Sequence, residues 1–189
     1  MVKTPTFSHV VLMTRRFEEM KAWYCNVFGA HVVHGDPALA FLTYDGESHR
    51  FAIANLDLLR PDKPAASGPG EIGVNHIAYT YASAADLLET YARLKAQGLA
   101  PYWPVHHGIT LSFYYQDPDG NRIELQVEAC NSKDAFDYMR SEAFAQNPVG
   151  FEVDPDTLLS RYRAGASEAE LTTLPAGKPS PIPASHGLT

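Results

Sequence analysis

Two histidines stand at matching places in two similar stretches of the sequence, His9 in FSHVVLMT and His76 in VNHIAYTY. Each lies at the start of an apolar run, where a polar residue is less expected. Farther along the chain, one face of a predicted hairpin carries a carboxylate, Glu124. Two imidazoles and a carboxylate form the facial triad that holds iron(II) and leaves three coordination positions open. Taken singly, each histidine is more often a core or edge residue than a ligand, so it is the matched pair that favours a metal site.

A repeated unit positions these side chains. Each of the two stretches is followed by apolar residues at helical spacing and then by a glycine, Gly29 or Gly98, which suits the left-handed position just past a helix. Strand-like sequence comes next in both copies, and two βαβββ modules are therefore predicted. The predicted strands after the helices are 30–34, 39–44 and 49–56 in the first module, and 99–105, 109–116 and 121–128 in the second.

The repeat stops after Cys130, where the pattern changes to capped helices. One helix is predicted to start at Ser132, and another at Asp154 with Pro155 in its first position. We therefore expect a mixed α+β chain with a helical C-terminal extension. The predicted segments are a domain over 1–130 (module one 5–59, a linker rich in proline, glycine and alanine at 60–70, module two 71–130), the extension 131–174, and a Pro-rich tail 175–189 that is flexible or straps the domain.

The hairpin carries the sharpest local signal, because its turn reads Asp-Pro-Asp-Gly-Asn over 117–121. Proline suits the second position of a type I turn and glycine the left-handed position that follows, which fixes the strand register. The register places Tyr114 opposite Glu124, on a face that is wholly polar and looks either into a cavity or into solvent. Two further predicted pairs are Ser112 with Gln126 and Gln116 with Arg122; the opposite, apolar face carries Leu111, Phe113, Tyr115, Ile123, Leu125 and Val127.

Composition narrows the class of protein. The 189 residues are 45% hydrophobic and 20% charged, with a formal net charge of −7 and no cluster of Lys or Arg, which disfavours nucleic-acid and membrane partners. Two cysteines are too few for a disulfide framework, and the N-terminal residues lack the apolar core of a signal peptide. We expect a cytoplasmic protein that acts on a small molecule; its oligomeric state is left open, a homo-oligomer included.

With these features the sequence resembles the vicinal-oxygen-chelate superfamily, and within it the type I extradiol ring-cleaving dioxygenases, in a small form with one pair of modules. The resemblance covers residues 5 to 130 and rests on FSHVVL, HRFAIA, GVNHIAY and HHGITLSFYYQDPDGNRIEL. It implies that the two modules curl into a half-barrel cup around a metal. It also implies that His9, His76 and Glu124 are ligands of iron(II), a set that suits manganese(II) as well.

The resemblance further implies three groups around the metal: His49, Tyr114, and one histidine of the pair His106-His107, of which we favour His107. The implied activity is meta-cleavage of a catechol-type diol by O2, with both oxygen atoms entering the product. His49 would stabilise bound oxygen and transfer protons, while Tyr114 and His107 would hydrogen-bond the ring oxygens. The residues that either line a pocket for a ring substituent or belong to ordinary packing are Tyr102, Trp103, Pro104 and Ile109.

Other members of the same superfamily offer rival interpretations. A lyase or isomerase of the glyoxalase type needs a fourth ligand, an acid in the last strand of the first module, and HRFAIANL has none at its centre. A thiol transferase of the fosfomycin type shares the two histidines and the glutamate but has no need of His49 or of His107 with Tyr114. A drug-sequestering binding protein would need no ligand set at all.

Overall fold

A computed structural model describes Phe7 and residues 9–47, 49–62 and 74–187. Parts of the predicted segments lie outside these residues: most of the linker, the start of each module and the last two residues of the tail. By its contacts the chain divides into two compact units. One contains the described residues of Met1–Gly68 together with Asp117–Gly120, and the other contains those of Pro69–Gln116 and Asn121–Thr189.

The first unit is a four-stranded sheet with one long helix packed against it. Its elements are β1 (Val10–Thr14), α1 (Phe17–Phe28), β2 (His31–Gly35), β3 (Leu39–Thr43), β4 (Phe51–Asn55) and α2 (Leu56–Leu59). The strand order is β1-β4-β3-β2, with β1 parallel to β4 and the other pairs antiparallel. The predicted βαβββ order of the first module is therefore confirmed.

Helix α1 forms because its apolar residues recur at helical spacing and bury one face. The buried side chains include Met20, Tyr24 and Val27, and the helix ends at Gly29, whose φ of 64° only glycine adopts without strain. The Tyr24 hydroxyl donates to Oδ2 of Asp117 at 3.1 Å. This bond ties the predicted Asp-Pro-Asp-Gly turn to the helix within the first unit.

The second unit repeats the same module and extends its sheet by a fifth strand. Its elements up to residue 152 are β5 (His76–Thr80), α3 (Ala84–Ala96), β6 (Trp103–His106), β7 (Thr110–Gln116), β8 (Arg122–Glu128) and β9 (Phe151–Glu152). The strand order is β5-β8-β7-β6-β9, with β5 parallel to β8. The two-residue strand β9 comes from the extension and pairs with β6.

The β7–β8 hairpin has the predicted register. Tyr114 pairs with Glu124, Ser112 with Gln126 and Gln116 with Arg122. Gly120 has a φ of 82°, and its amide donates to the carbonyl oxygen of Asp117 at 2.9 Å, as expected for a turn closed by a left-handed glycine. The apolar face is buried throughout, with Leu111, Phe113, Tyr115, Ile123, Leu125 and Val127 each at most 3% exposed.

Beyond the second module the chain forms short helices: α4 (Ser132–Met139), α5 (Glu142–Gln146), α6 (Pro155–Arg163), α7 (Glu168–Leu171) and a 3-10 turn, Ala184–His186. Helices α4 and α6 start where the sequence predicts, with Asn131 and Asp154 as their caps. The Pro-rich segment contributes two buried side chains to this unit, Ser180 and His186. Among the described residues, no helix has the length and apolar character needed to cross a bilayer.

Candidate active site

The middle of the polar face of the β7–β8 hairpin is buried in the second unit. Tyr114 is 3% exposed and Glu124 5% exposed, so this face is not a solvated outer surface. Because side chains two residues apart along a strand share a face, the pairing of Glu124 with Ala78 places Glu124 and His76 on the same side of the sheet. Trp103 pairs with Tyr114 on the next strand and stacks on it at 5.0 Å. One row of side chains therefore crosses four strands.

His76 and Glu124 form a close pair on this face. Nε2 of His76 lies 3.1 Å from Oε2 of Glu124. On the other side of the ring, Nδ1 lies 2.9 Å from the Asn75 side-chain oxygen, and the Asn75 amide nitrogen donates to the carbonyl oxygen of His186 at 3.0 Å. The second bond fixes which end of the amide faces His76. Nδ1 therefore carries a proton, and Nε2 is the ring nitrogen available to a metal ion.

The pair fits two ligands of a divalent metal. An imidazole nitrogen and a carboxylate oxygen are the donors of the iron(II) facial triad. Two ligands that each lie about 2.1 Å from a metal at a right angle are about 3 Å apart, close to the 3.1 Å between these atoms. Within the described parts of the chain, no group of three or more His, Cys, Asp and Glu side chains is gathered as a metal cluster. The pair thus supplies two donors of the predicted set.

The environment of Glu124 keeps it ionised. Burial alone would raise the pKa of this carboxyl, but its polar contacts with the His76 and Ser112 side chains and the nearby His107 outweigh burial, so the pKa lies below its usual value. A carboxylate rather than a carboxylic acid is the form that binds a metal cation.

His107 and Tyr114 form a second pair, and its protons are also fixed. The carbonyl oxygen of Val149 lies 2.6 Å from Nδ1 of His107 and can only accept, so this nitrogen donates. Nε2 then accepts from the Tyr114 hydroxyl at 3.0 Å. Burial lowers the pKa of His107, while burial and the charge of Glu124 raise the pKa of Tyr114 far above its usual value. At neutral pH both side chains are uncharged.

The neighbouring histidine has a different role. His106 is 1% exposed; its Nε2 donates to the Thr172 carbonyl oxygen at 2.8 Å, and its Nδ1 accepts from the Gly108 amide at 3.0 Å. Nε2 thus joins β6 to the residue that follows α7, and Nδ1 holds the loop between β6 and β7. Of the two histidines left open by the sequence, the structure places His107 beside Tyr114.

A cavity of about 340 Å³ opens next to these groups. Its polar lining includes His107, Tyr114 and Glu124, together with Thr110, Gln126 and Glu128. Its apolar lining is formed by Ile109, Met139, Phe144 and Pro148. Of the four residues predicted to line a pocket or to pack, Ile109 lines this cavity, whereas Trp103 lies in a buried cluster with Val105 and Tyr114. Most of the apolar wall therefore comes from the helical extension.

His9 and His49 lie together in the first unit. His9 directly precedes β1 and His49 lies two residues before β4, and their ring centroids are 4.3 Å apart. The edge of the Phe41 ring contacts His49 at 5.1 Å between centroids. The structure thus brings the predicted site residues together in two sets, one within each unit.

Three contributions to the site were not foreseen in the sequence: Asn75, His186, and the apolar side chains of the extension that line the cavity. Asn75 carries a weak signal, since a polar residue directly precedes the predicted ligand in VNHIAY. His186 carries none, because PSPIPASHGLT has no periodicity that would place it.

Comparisons with known proteins agree on one family. A model of the Glyoxalase/Bleomycin resistance protein/Dioxygenase superfamily matches residues 6–125. Biphenyl-2,3-diol 1,2-dioxygenase 2 of Rhodococcus globerulus is 44% identical over 174 residues, covering 92% of this chain and 90% of the relative. Biphenyl-2,3-diol 1,2-dioxygenase 3 of the same organism is 39% identical over 179 residues, with the same two shares covered. A crystal structure titled as a glyoxalase/bleomycin resistance protein/dioxygenase, from Nocardioides, has a TM-score of 0.53 at 22% identity, over 68% of this chain and 86% of that one, which is a likeness of fold.

Proposed function

The chain belongs to the Glyoxalase/Bleomycin resistance protein/Dioxygenase superfamily, and we propose that it uses iron(II) to open the ring of a catechol-type diol with O2. The enzyme class itself follows from the comparisons. Both Rhodococcus relatives are extradiol dioxygenases, and identities of 44% and 39% over 92% of this chain make the protein an extradiol dioxygenase. Our proposal adds the metal, the substrate class, the position of cleavage next to the two hydroxyls, and the residues that act.

We assign the metal to His76, Glu124 and His9. The first two supply an imidazole and an ionised carboxylate 3.1 Å apart, and His9 occupies the place in the first module that His76 occupies in the second. Iron(II) bound by three protein ligands supplies a redox centre with open positions for a diol and for O2. Manganese(II) suits the same donors, so the choice between the two metals depends on measurement.

The Tyr114–His107 pair is arranged to take a proton from the diol. Because the Tyr114 hydroxyl donates to Nε2 of His107, the lone pairs of its oxygen remain available to a diol hydroxyl in the cavity. When the diol gives its proton to that oxygen, Tyr114 passes its own proton to Nε2. His107 becomes an imidazolium whose Nδ1 still donates to Val149, and Tyr114 stays neutral.

The cavity supports a substrate with more than one ring. Its volume of about 340 Å³ lies in the range of sites that enclose small organic molecules, and its lining combines apolar side chains with the polar His107, Tyr114 and Glu124. The two relatives are named for biphenyl-2,3-diol, which has a second ring next to the diol. We therefore place the diol at the polar side and an apolar substituent against the wall.

The first module gives no support to a lyase of the glyoxalase type. The fourth acidic ligand expected of such an enzyme would come from the last strand of this module, and β4 reads FAIAN over Phe51–Asn55. The absence of an acid there favours a set of three ligands with open positions.

One observation carries the proposal: the His76–Glu124 pair and the Tyr114–His107 pair face the same side of one sheet, and three of these residues line one cavity. Its test is O2 consumption by protein loaded with iron(II) under anaerobic conditions. With catechol or biphenyl-2,3-diol we expect one O2 consumed per diol and a yellow ring-opened product. A panel of diols that causes no oxygen uptake would contradict it.

A further inference from the structure

The segment 180–187 lies on the second unit beside the proposed metal ligands, and several specific bonds hold it there. Trp103 donates from its indole nitrogen to the Ser180 hydroxyl at 3.0 Å, and Arg122 donates from Nε to the Ser185 carbonyl oxygen at 2.8 Å. Gly187 follows with a φ of 73°, and a Cβ at this position would overlap the Arg122 guanidinium. Side chains of the second unit therefore hold segment 180–187 in this position.

His186 is the centre of the docked segment. It is 2% exposed, its Nδ1 lies 2.9 Å from the Tyr102 hydroxyl oxygen, and its ring packs edge-on against Trp103 and Tyr114 at 4.7 and 4.9 Å between centroids. A buried histidine with this many partners holds its own backbone in place as well.

The backbone of His186 leads directly to a proposed ligand. Its carbonyl oxygen accepts from the Asn75 amide nitrogen at 3.0 Å, and the Asn75 oxygen lies 2.9 Å from Nδ1 of His76. Asn75 therefore joins the segment to the ring. Without the carbonyl of His186, the amide of Asn75 is free to turn and to present its nitrogen to His76 instead. An NH2 group facing Nδ1 would make Nδ1 the acceptor and favour the tautomer with the proton on Nε2. Nε2 would then have no lone pair with which to bind the metal.

We propose that segment 180–187 is a positioning element for the metal site: the His186 carbonyl fixes the Asn75 amide, and Asn75 fixes the tautomer and direction of the His76 ring. The inference rests on the proposed function, because it takes His76 as a ligand. Groups that orient a ligating histidine in this way change metal affinity by about 10- to 100-fold.

The test measures the dissociation constant for manganese(II), from the electron paramagnetic resonance signal of the free ion, together with thermal stability. Three variants are compared with wild type: Asn75→Ala, a chain ended at Pro179, and the two changes combined. Thr80→Val is the matched control, because it removes a bond between Gln126 and Thr80 at the opposite end of β5 and leaves His76 untouched. If the shortened chain does not fold, Arg122→Gln replaces it, since it removes the bond to Ser185 and a longer one to the Asn75 carbonyl oxygen.

We expect each single change to weaken manganese(II) binding by about 10-fold or more and the combined variant to be no weaker than either one, because both break the same connection. Thr80→Val should bind as wild type does. Unchanged affinity in Asn75→Ala or in the shortened chain, or losses that add in the combined variant, would overturn the inference alone. A wild-type protein that binds no manganese(II), or a Glu124→Ala variant that binds it normally, would overturn the ligand set and the inference with it.

Discussion

The Tyr114 hydroxyl donates to Nε2 of His107 across 3.0 Å, and the opposite nitrogen of that ring is already bound to the Val149 carbonyl. The ring can therefore neither rotate nor change tautomer without losing a bond. In this arrangement a proton that reaches the tyrosine oxygen can be passed on to Nε2 of His107. The first two predictions separate this proton-accepting pair from the pair proposed to hold the metal.

Replacing Tyr114 by Phe keeps the aromatic stack on Trp103 and removes only the hydroxyl. Because a positioned proton-transfer group contributes about 100-fold or more, we expect kcat to fall by about that factor while the dissociation constant for manganese(II) stays within about twofold. Oxygen uptake and metal titration on the same preparation check both. Equal losses of activity and metal affinity would contradict a role confined to proton transfer.

Replacing Glu124 by Ala removes the ionised carboxylate from the proposed metal site. The variant is expected to keep less than a tenth of the bound metal, since a ligand is lost, and to consume no O2 with diols. Elemental analysis of the purified protein gives the metal content. The matched control is Glu89→Ala, on the exposed side of α3, which should retain the metal. Full metal content in Glu124→Ala would show that the ligand set is wrong.

His9 and His49 lie side by side, yet they have different predicted roles, and substitution can distinguish them. We expect His9→Ala to lower the affinity for manganese(II) by at least about 10-fold, as loss of a ligand does. His49→Gln should bind manganese(II) normally and lose most of the activity. The reverse result, with metal loss on changing His49 alone, would exchange the two assignments.

Phe144 tests the apolar wall of the cavity. The wall lies next to Gly108, where the Tyr138 ring packs so closely that a Cβ would overlap it, and Tyr138 in turn holds Phe144 edge-on at 5.8 Å. In Phe144→Ala we expect kcat/KM for biphenyl-2,3-diol to fall about 10-fold relative to catechol, since apolar contact with a second ring is lost. Phe136→Ala, 55% exposed on α4, is the control. Equal losses for both diols would refute the assignment.

The lowered pKa values of three histidines predict how the stability of the folded protein depends on pH. Burial lowers the pKa of His106, of His107 and of His186, the last to about 4. Below the ordinary histidine value of 6.5 the unfolded chain takes up protons that the folded chain does not, so stability is present above that pH and is lost as the pH falls from there.

The measurement is the Tm of metal-free protein between pH 7.5 and pH 5. We expect a decrease of several degrees, since about 1 kcal/mol corresponds to about 2–4 °C at this chain length. His106→Gln should have a lower Tm at pH 7.5 but a flatter dependence on pH, whereas His31→Gln, exposed on β2, should keep the wild-type slope. A Tm that rises as the pH falls would contradict the prediction that protonation of these histidines destabilises the folded state.

The sequence predicted what local chemistry determines. Pro118 and Gly120 specify one turn type, and the turn alone places Tyr114 opposite Glu124. The ends of α1 and α3 could likewise be predicted, because Gly29 and Gly98 act within one helical turn.

Contacts between distant parts of the chain could not be predicted from local sequence patterns in this way. His186 reaches its place through the Asn75 amide, 111 residues away, and no periodicity in a Pro-rich segment marks such a contact. Phe144 sits on a five-residue helix whose sequence resembles any exposed short helix. Its role at the cavity depends on where α4 and α5 dock, which tertiary packing decides.

The turn between β7 and β8 also limits how the gene can vary in length. Since neighbouring strand residues face opposite sides of the sheet, one codon inserted or deleted within 117–121 would slip the register by one and turn either Tyr114 or Glu124 to the other side. The Tyr24–Asp117 bond holds the turn against absorbing such a change. In a library of random single-codon insertions and deletions, functional clones should therefore be depleted at this turn and retained at exposed loop positions such as Asp62.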